Sequence, residues 1–201
     1  MNYLACLSRC FGLAAGNVKV SQFEQALNEI QLDTSTMGSN VVIIKKGRRI
    51  CGKGGAICNF PIVQNKAYFE AKIQQSGIWG VGLSTSNVDL NLTPLGTDNQ
   101  SWILRQDGKI VHNNTVLHEI TKPIQEGDII GVSFDHVQLK FYINNVPMDY
   151  EVSNIKAGSE DIYPVVYVDS GAIIDMVFSH ASFAYPPPPS YDAILIEKVL
   201  L

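Results

Sequence analysis

The sequence predicts an all-β fold: two antiparallel sheets packed as a sandwich, with one short N-terminal helix. Three observations carry this expectation. From residue 41 onward, about nine short runs alternate in polarity or are rich in β-branched and aromatic residues, and Gly, Asn, Asp and Pro separate them. No long helical pattern lies between these runs, which argues against parallel strand–helix–strand units. The one helical signal is about ten residues long, too little to cover a large sheet, whereas a second sheet can do so.

Taken in order, residues 1–20 read as a loosely ordered lead. Ser21–Ile30, "SQFEQALNEI", is the helical signal. Ser21 can cap, and Glu24 completes a capping box. Phe23, Ala26, Leu27 and Ile30 share one apolar face. A helix this short needs the body to stabilise it. The expected strands are "VVIIK", "YFEAKI", "IWGVGLS", "SWILR", "KIVH", "DIIGVSF", "QLKFYI", "YPVVYV" and "AIIDMVF". In "YFEAKI", Tyr68, Glu70 and Lys72 alternate with Phe69, Ala71 and Ile73, as two faces of a strand require. The sandwich domain is expected over residues 21–185. Beyond it, Pro186 to Pro189 impose a polyproline II segment, and an apolar tail over the last residues to 201 returns to the body.

Composition narrows the function classes. The chain has 201 residues, 46% of them hydrophobic, which suits one domain with a full core. Its net charge of −4 lacks the basic footprint of a nucleic-acid binder. No apolar run is long enough to span a membrane. The N-terminus lacks a basic n-region, and Arg9 interrupts its apolar stretch. An intracellular, cytoplasmic setting with free thiols at Cys6, Cys10, Cys51 and Cys58 is expected. The cysteine and histidine spacings fit no metal site, and no cofactor motif is present.

Candidate chemistry reduces mostly to turns. Asp135-His136 sits between two apolar runs and reads as a hairpin corner, because Asp bonds nearby backbone amides. Asp169-Ser170-Gly171 also separates two strand runs, so a turn is expected there rather than a nucleophile. "CGKGGA" lacks the spacing of a phosphate loop and reads as a glycine-rich bend. Lys45, Lys46, Arg48, Arg49 and Lys53 form a basic cluster around a hairpin with Gly47 at its tip. With S-acylation of Cys6 and Cys10, that cluster could make a two-signal membrane anchor, the alternative function. Pro188-Pro189-Ser190-Tyr191 fits the Pro-Pro-x-Tyr pattern read by WW domains, although the apolar tail behind it suggests a segment tied down.

Several strands together resemble the SPRY domain family. "KAYFEAKI" resembles its Tyr-Phe-Glu strand, and "IWGVGLS" its Gly-Val-Gly strand. "LGTDNQSWILRQDGKIVHNN", "GDIIGVSFDHVQLKFYINN" and "YPVVYV" follow in the family's order. The resemblance implies a bent, concanavalin-like (SPRY) β-sandwich without catalysis, binding a protein or peptide through loops at one end. It places the rim at Asn59–Asn65, Asp89–Gln100 and Asp169–Gly171. Asn91, Asp98, Asn99 and Ser170 would supply hydrogen bonds there, with Pro94 as apolar contact and Gly171 in the turn. Two loops depart from relatives: "NLTP" stands where some present an aromatic, and Ser170-Gly171 where many present Trp-Gly. A monomer is expected.

Overall fold

The computed structural model describes residues 29–155 and 160–196. Fourteen strands form among them. In chain order they are β1 (Leu32–Met37), β2 (Asn40–Ile44), β3 (Arg49–Cys58), β4 (Ala67–Gln75), β5 (Ile78–Thr85), β6 (Ser101–Arg105) and β7 (Lys109–His112). Then follow β8 (Thr115–Glu119), β9 (Ile129–Phe134), β10 (Gln138–Ile143), β11 (Val146–Ser153), β12 (Ile162–Asp169), β13 (Ile173–Val177) and β14 (Asp192–Ala193). All nine expected runs are strands.

The short N-terminal helix expected over Ser21–Ile30 is not supported among the described residues. Ser21 to Asn28 lie outside the described residues, and Glu29 and Ile30 are not helical. Tertiary bonds hold the backbone at Glu29 and Gln31. The Asn59 side-chain amide donates to the Glu29 carbonyl at 2.9 Å, and the Gln31 amide donates to Asn59 Oδ1 at 3.0 Å. Among the described residues the only helical element is a 3-10 turn, His180–Ser182.

One sheet runs β11-β10-β9-β4-β13-β3-β2, the other β1-β3-β12-β5-β6-β7-β8. Strand β3 belongs to both. Arg49–Lys53 pairs with β2 and β13, while Gly54–Ile57 pairs with β12. The bend falls in "CGKGGA", where Gly52 and Gly54 have φ of 97° and 130°. Side chains rarely adopt such values, so glycine permits the change of sheet. The glycine-rich bend read from sequence is therefore a strand that crosses between layers.

The main core lies between the sheets. Phe69, Ile130, Val132 and Phe141 meet Val81, Leu83, Trp102 and Val166 in it. A second, smaller core lies on the outer face of the second sheet. There Ile57, Ile103, Val165 and Tyr167 are covered by Val88, Leu90 and Leu95. Alternation along β12 explains both: Val166 and Val168 face inward, Val165 and Tyr167 outward. Gly80 and Gly82 lie opposite Tyr167 and Val165 on β5, where the Tyr167 ring, Ile103 and the Trp102 carbonyl of the neighbouring strands approach closely.

The chain after β13 straps across the outer face of the first sheet. Tyr68 and Glu70 point that way yet are 2% and 1% exposed. Phe183 packs edge-on to the Tyr68 ring at 5.1 Å. The Ala184 and Tyr185 amides donate to the Glu70 carboxylate at 2.7 and 3.0 Å, and the Tyr68 hydroxyl donates to it at 3.1 Å. β14 then pairs in parallel with Ala67 and Tyr68.

Candidate interaction surface

The loop between β5 and β6 spans the outer face of the second sheet, and its clamps are polar. The Gly55 amide donates to the Leu90 carbonyl at 2.7 Å, and the Gly38 amide donates to the Gly55 carbonyl at 2.8 Å. Asn91 Oδ1 accepts from the Ser39 amide and hydroxyl at 2.9 and 3.0 Å. The Thr93 hydroxyl donates to Asp169 Oδ2 at 3.2 Å, and Lys53 Nζ lies 3.2 Å from the same oxygen. Asp169 Oδ1 accepts from the Ser170 amide at 2.6 Å. That amide, outweighing a desolvation effect and helped by Lys53 and Thr93, holds the Asp169 carboxyl below its ordinary value.

These bonds leave the outward side chains free. Leu92 is 49% exposed, an apolar tip on a clamped loop. Asn91, Pro94, Ser170 and Gly171 are exposed beside it. The Thr93–Pro94 peptide is cis. Ser170 and Gly171 have φ of 51° and 84° and form the turn from β12 to β13. Sequence reasoning missed Ser39 as a member of this surface, and it included Leu92, Thr93 and Asp169 in the rim loops without singling them out. The strand change in β3 brings Lys53 and the Gly38–Ser39 turn to it, and no local pattern announces that.

Asp98 and Asn99 sit elsewhere. The Asp98 carbonyl accepts from the Asn113 amide at 2.8 Å, and Asn99 Oδ1 accepts from Gln100 Nε2 at 2.7 Å. The Gln100 carbonyl accepts from the Thr85 amide, at the C-terminal end of β5. Asn59–Asn65 joins that end too, because the Ile62 amide bonds the Ile162 carbonyl and Ile162 pairs with Thr85. Asp169 pairs with Ile78, at the opposite end of β5. At about 3.3 Å per residue the two loop groups stand on the order of 20 Å apart along the strand. Asn91, Pro94, Ser170 and Gly171 come together; Asp98 and Asn99 do not join them.

The other sequence candidates resolve into scaffold. Asp135 Oδ1 accepts from the Val137 and Gln138 amides at 3.1 and 2.7 Å, and His136 has φ of 66°, so the pair is a hairpin corner. Burial raises the Asp135 carboxyl, but the Gln138 and Val137 amides, Tyr191 and Lys66 together leave it below its ordinary value. Cys58 is buried, which pushes its thiol well up and leaves it unreactive. Cys6 and Cys10 lie outside the described residues. Among the described residues no three His, Cys, Asp or Glu side chains cluster as metal ligands.

The basic cluster occupies the β2–β3 hairpin, with Gly47 in its turn. Lys45 and Arg49 both bond Asp175, Arg48 lies 3.3 Å from Glu29, and Lys53 pairs with Asp169. Four of the five cations are paired, and Lys46 is exposed without an ion pair among the described residues. The pairing reduces the unopposed charge offered to an anionic surface and gives the membrane alternative no support. Burial raises the Asp175 carboxyl, but the Arg49 and Lys45 bonds outweigh it and leave it below its ordinary value. A depressed carboxyl contributes stability that is present above the unfolded value and lost as pH falls through the folded one. From about pH 5 to about pH 2.5, the urea midpoint should therefore fall further in the wild type than in Asp175→Asn. Parallel falls in the two proteins would show that Asp175 contributes nothing to the acid response.

The model of the SPRY domain family matches residues 66–181, from the start of β4 to the 3-10 turn. The chain belongs to the SPRY domain family. This SPRY chain is 44% identical over 197 residues to SPRY domain-containing protein 7 of Homo sapiens, covering 97% of this chain and 96% of that one. The protein of the same name from Gallus gallus is 44% identical over 195 residues, covering 96% and 95%. Among solved structures, the SPRY domain of human HERC1 superposes with a TM-score of 0.61 at 16% identity, covering 73% of this chain and 96% of that one. The TRIM65 PSpry domain gives 0.58 at 12%, covering 78% and 94%. The family motifs have visible jobs here. Trp102 of the Ser-Trp strand stacks on His112 of the His-Asn-Asn run at 4.5 Å. Asn113 and Asn114, with φ of 49° and 55°, then turn β7 into β8.

Proposed function

We propose that this SPRY chain is a non-enzymatic module that binds a protein or peptide at the surface around Ser39, Lys53, Asn91, Leu92, Pro94 and Ser170. One observation carries the reading: Leu92 and Pro94 stand exposed on a loop whose neighbours Leu90, Asn91 and Thr93 are each bonded to another part of the sandwich. Holding apolar contacts in place before binding lowers the ordering cost of association. Flanking groups add a few polar contacts to an apolar centre, the usual make-up of a peptide site. No nucleophile is paired with a base at this surface, and Ser170 offers a turn rather than an elbow. Membership of the SPRY domain family, whose members generally serve as protein-interaction modules, supports this role.

The test compares the two ends of β5. Proximity labelling in cells would identify proteins close to the wild type. Leu92→Asp should reduce their recovery at least about tenfold, since a charge replaces an apolar anchor. Asn99→Ala and Val63→Asp, at the opposite end, should leave it unchanged. If the opposite-end variants lose the partners and Leu92→Asp keeps them, the proposed surface is wrong.

A further inference from the structure

We propose that Pro186 to Tyr191 is a closed ligand for a protein with a WW-type aromatic groove, held shut by contacts with Gln64, Lys66 and Asp135. Such grooves read an extended polyproline II backbone followed by an accessible tyrosine. The residue types are present in Pro188-Pro189-Ser190-Tyr191, and Pro186, Pro189 and Ser190 are exposed. The conformation is not the bound one. Ser190 has φ of 73°, and the Tyr191 amide donates to the Pro188 carbonyl at 3.0 Å, which folds the motif into a turn.

The tyrosine itself is occupied. Its hydroxyl donates to Asp135 Oδ2 at 3.2 Å, on the β9–β10 hairpin corner. Lys66 Nζ lies 5.3 Å above its ring. The chain beyond is pinned as well. Gln64 Nε2 donates to the Ala193 carbonyl at 2.7 Å, and Gln64 Oε1 accepts from the Leu195 amide at 2.6 Å. On the other side, Glu70 holds Ala184 and Tyr185. The proline arc is thus bracketed by two anchors, and the second joins the polar contacts at Lys66 and Asp135 to the β14 pairing and the buried Ala193 and Ile194.

Opening at the second anchor frees the ligand without disturbing the first. It also releases Ser190 from a left-handed conformation unfavourable to a side chain. The groove would capture the open form, so its apparent affinity falls by the fraction of molecules that are open. This inference is independent of the surface at Leu92, and variants there should not affect it.

The test titrates the full chain with a recombinant WW domain of the Pro-Pro-x-Tyr class by calorimetry. A Gln64→Ala/Lys66→Ala double variant weakens the closed state and leaves both motif and hairpin corner intact. It should bind at least about tenfold more tightly than the wild type. Adding Tyr191→Ala should abolish that binding. Lys66→Ala alone, a surface change, serves if the double variant melts too early, and should show a smaller gain. Saturating WW domain should also speed hydrogen exchange at the Ala193 and Leu195 amides of the wild type. Equal affinities for wild type and opened variant would overturn the proposal. So would absence of binding to the opened variant when a peptide of residues 184–195 binds, or failure of that peptide itself.

Discussion

Glu70→Ala is expected to lower the unfolding free energy by about 3 kcal/mol. The carboxylate is 1% exposed and accepts three hydrogen bonds, two from strap amides and one from Tyr68. Alanine removes both acceptor oxygens, and with them all three hydrogen bonds, at once. The Ala184 and Tyr185 amides must then stay unpaired or draw the strap into water, and each unpaired buried group costs roughly 1–3 kcal/mol. For a domain of this size the melting temperature should fall by roughly 6–12 °C. Glu70→Gln keeps one acceptor oxygen and loses the charge, so about half the loss is expected. Urea unfolding measures both. A Glu70→Ala loss below about 0.5 kcal/mol would mean the strap contributes no stability through this residue.

Gly82→Ala should cost about 3 kcal/mol or more, although alanine is only one methyl larger. A Cβ at Gly82 would overlap the Trp102 carbonyl oxygen on β6, and backbone in the middle of a sheet cannot step aside. Gly80 is similarly closed by the Tyr167 ring and Ile103. Gly127→Ala is the contrasting case. Its φ is 88°, but nothing lies within 4 Å of the added atom. Only the backbone cost of roughly 1–2 kcal/mol applies there. If thermal melts rank Gly127→Ala as the worse change, the close approach at β5 is not what requires glycine.

The strands legible in the sequence are those with one face in the main core. "DIIGVSF" and "QLKFYI" alternate because Val132, Phe134, Leu139 and Phe141 enter that core, and Asp135 turns the chain with its own side chain. Strands β1, β8 and β11 carry little apolar patterning: β1 and β8 have mostly half-buried or exposed residues, and β11 buries only Val152. Strand β3 was hidden for another reason. Its interior is Gly52, Gly54 and Gly55, and glycine has poor strand propensity. Pairing with β2, β12 and β13 makes it a strand despite its composition.

The candidate surface was legible only in part, for a related reason. Asn91, Pro94, Ser170 and Gly171 could be singled out as loop residues, but sequence order does not say at which end of β5 a loop emerges. The long loop leaves at Thr85, folds over the second core to reach Asp169, and returns to Ser101. Its path depends on the apolar groups beneath it, Ile57, Val165 and Tyr167.

By itself, then, the sequence determined the class of fold, the faces of the central strands and the turns whose own side chains bond their backbone. These are local matters of periodicity and short-range hydrogen bonds. The tertiary structure decided the rest. It bent β3 across both sheets, divided the loops between two ends, paired the basic hairpin with acids distant in sequence, and buried Glu70 beneath the strap. Each of those depends on partners far along the chain, which no local window of residues contains.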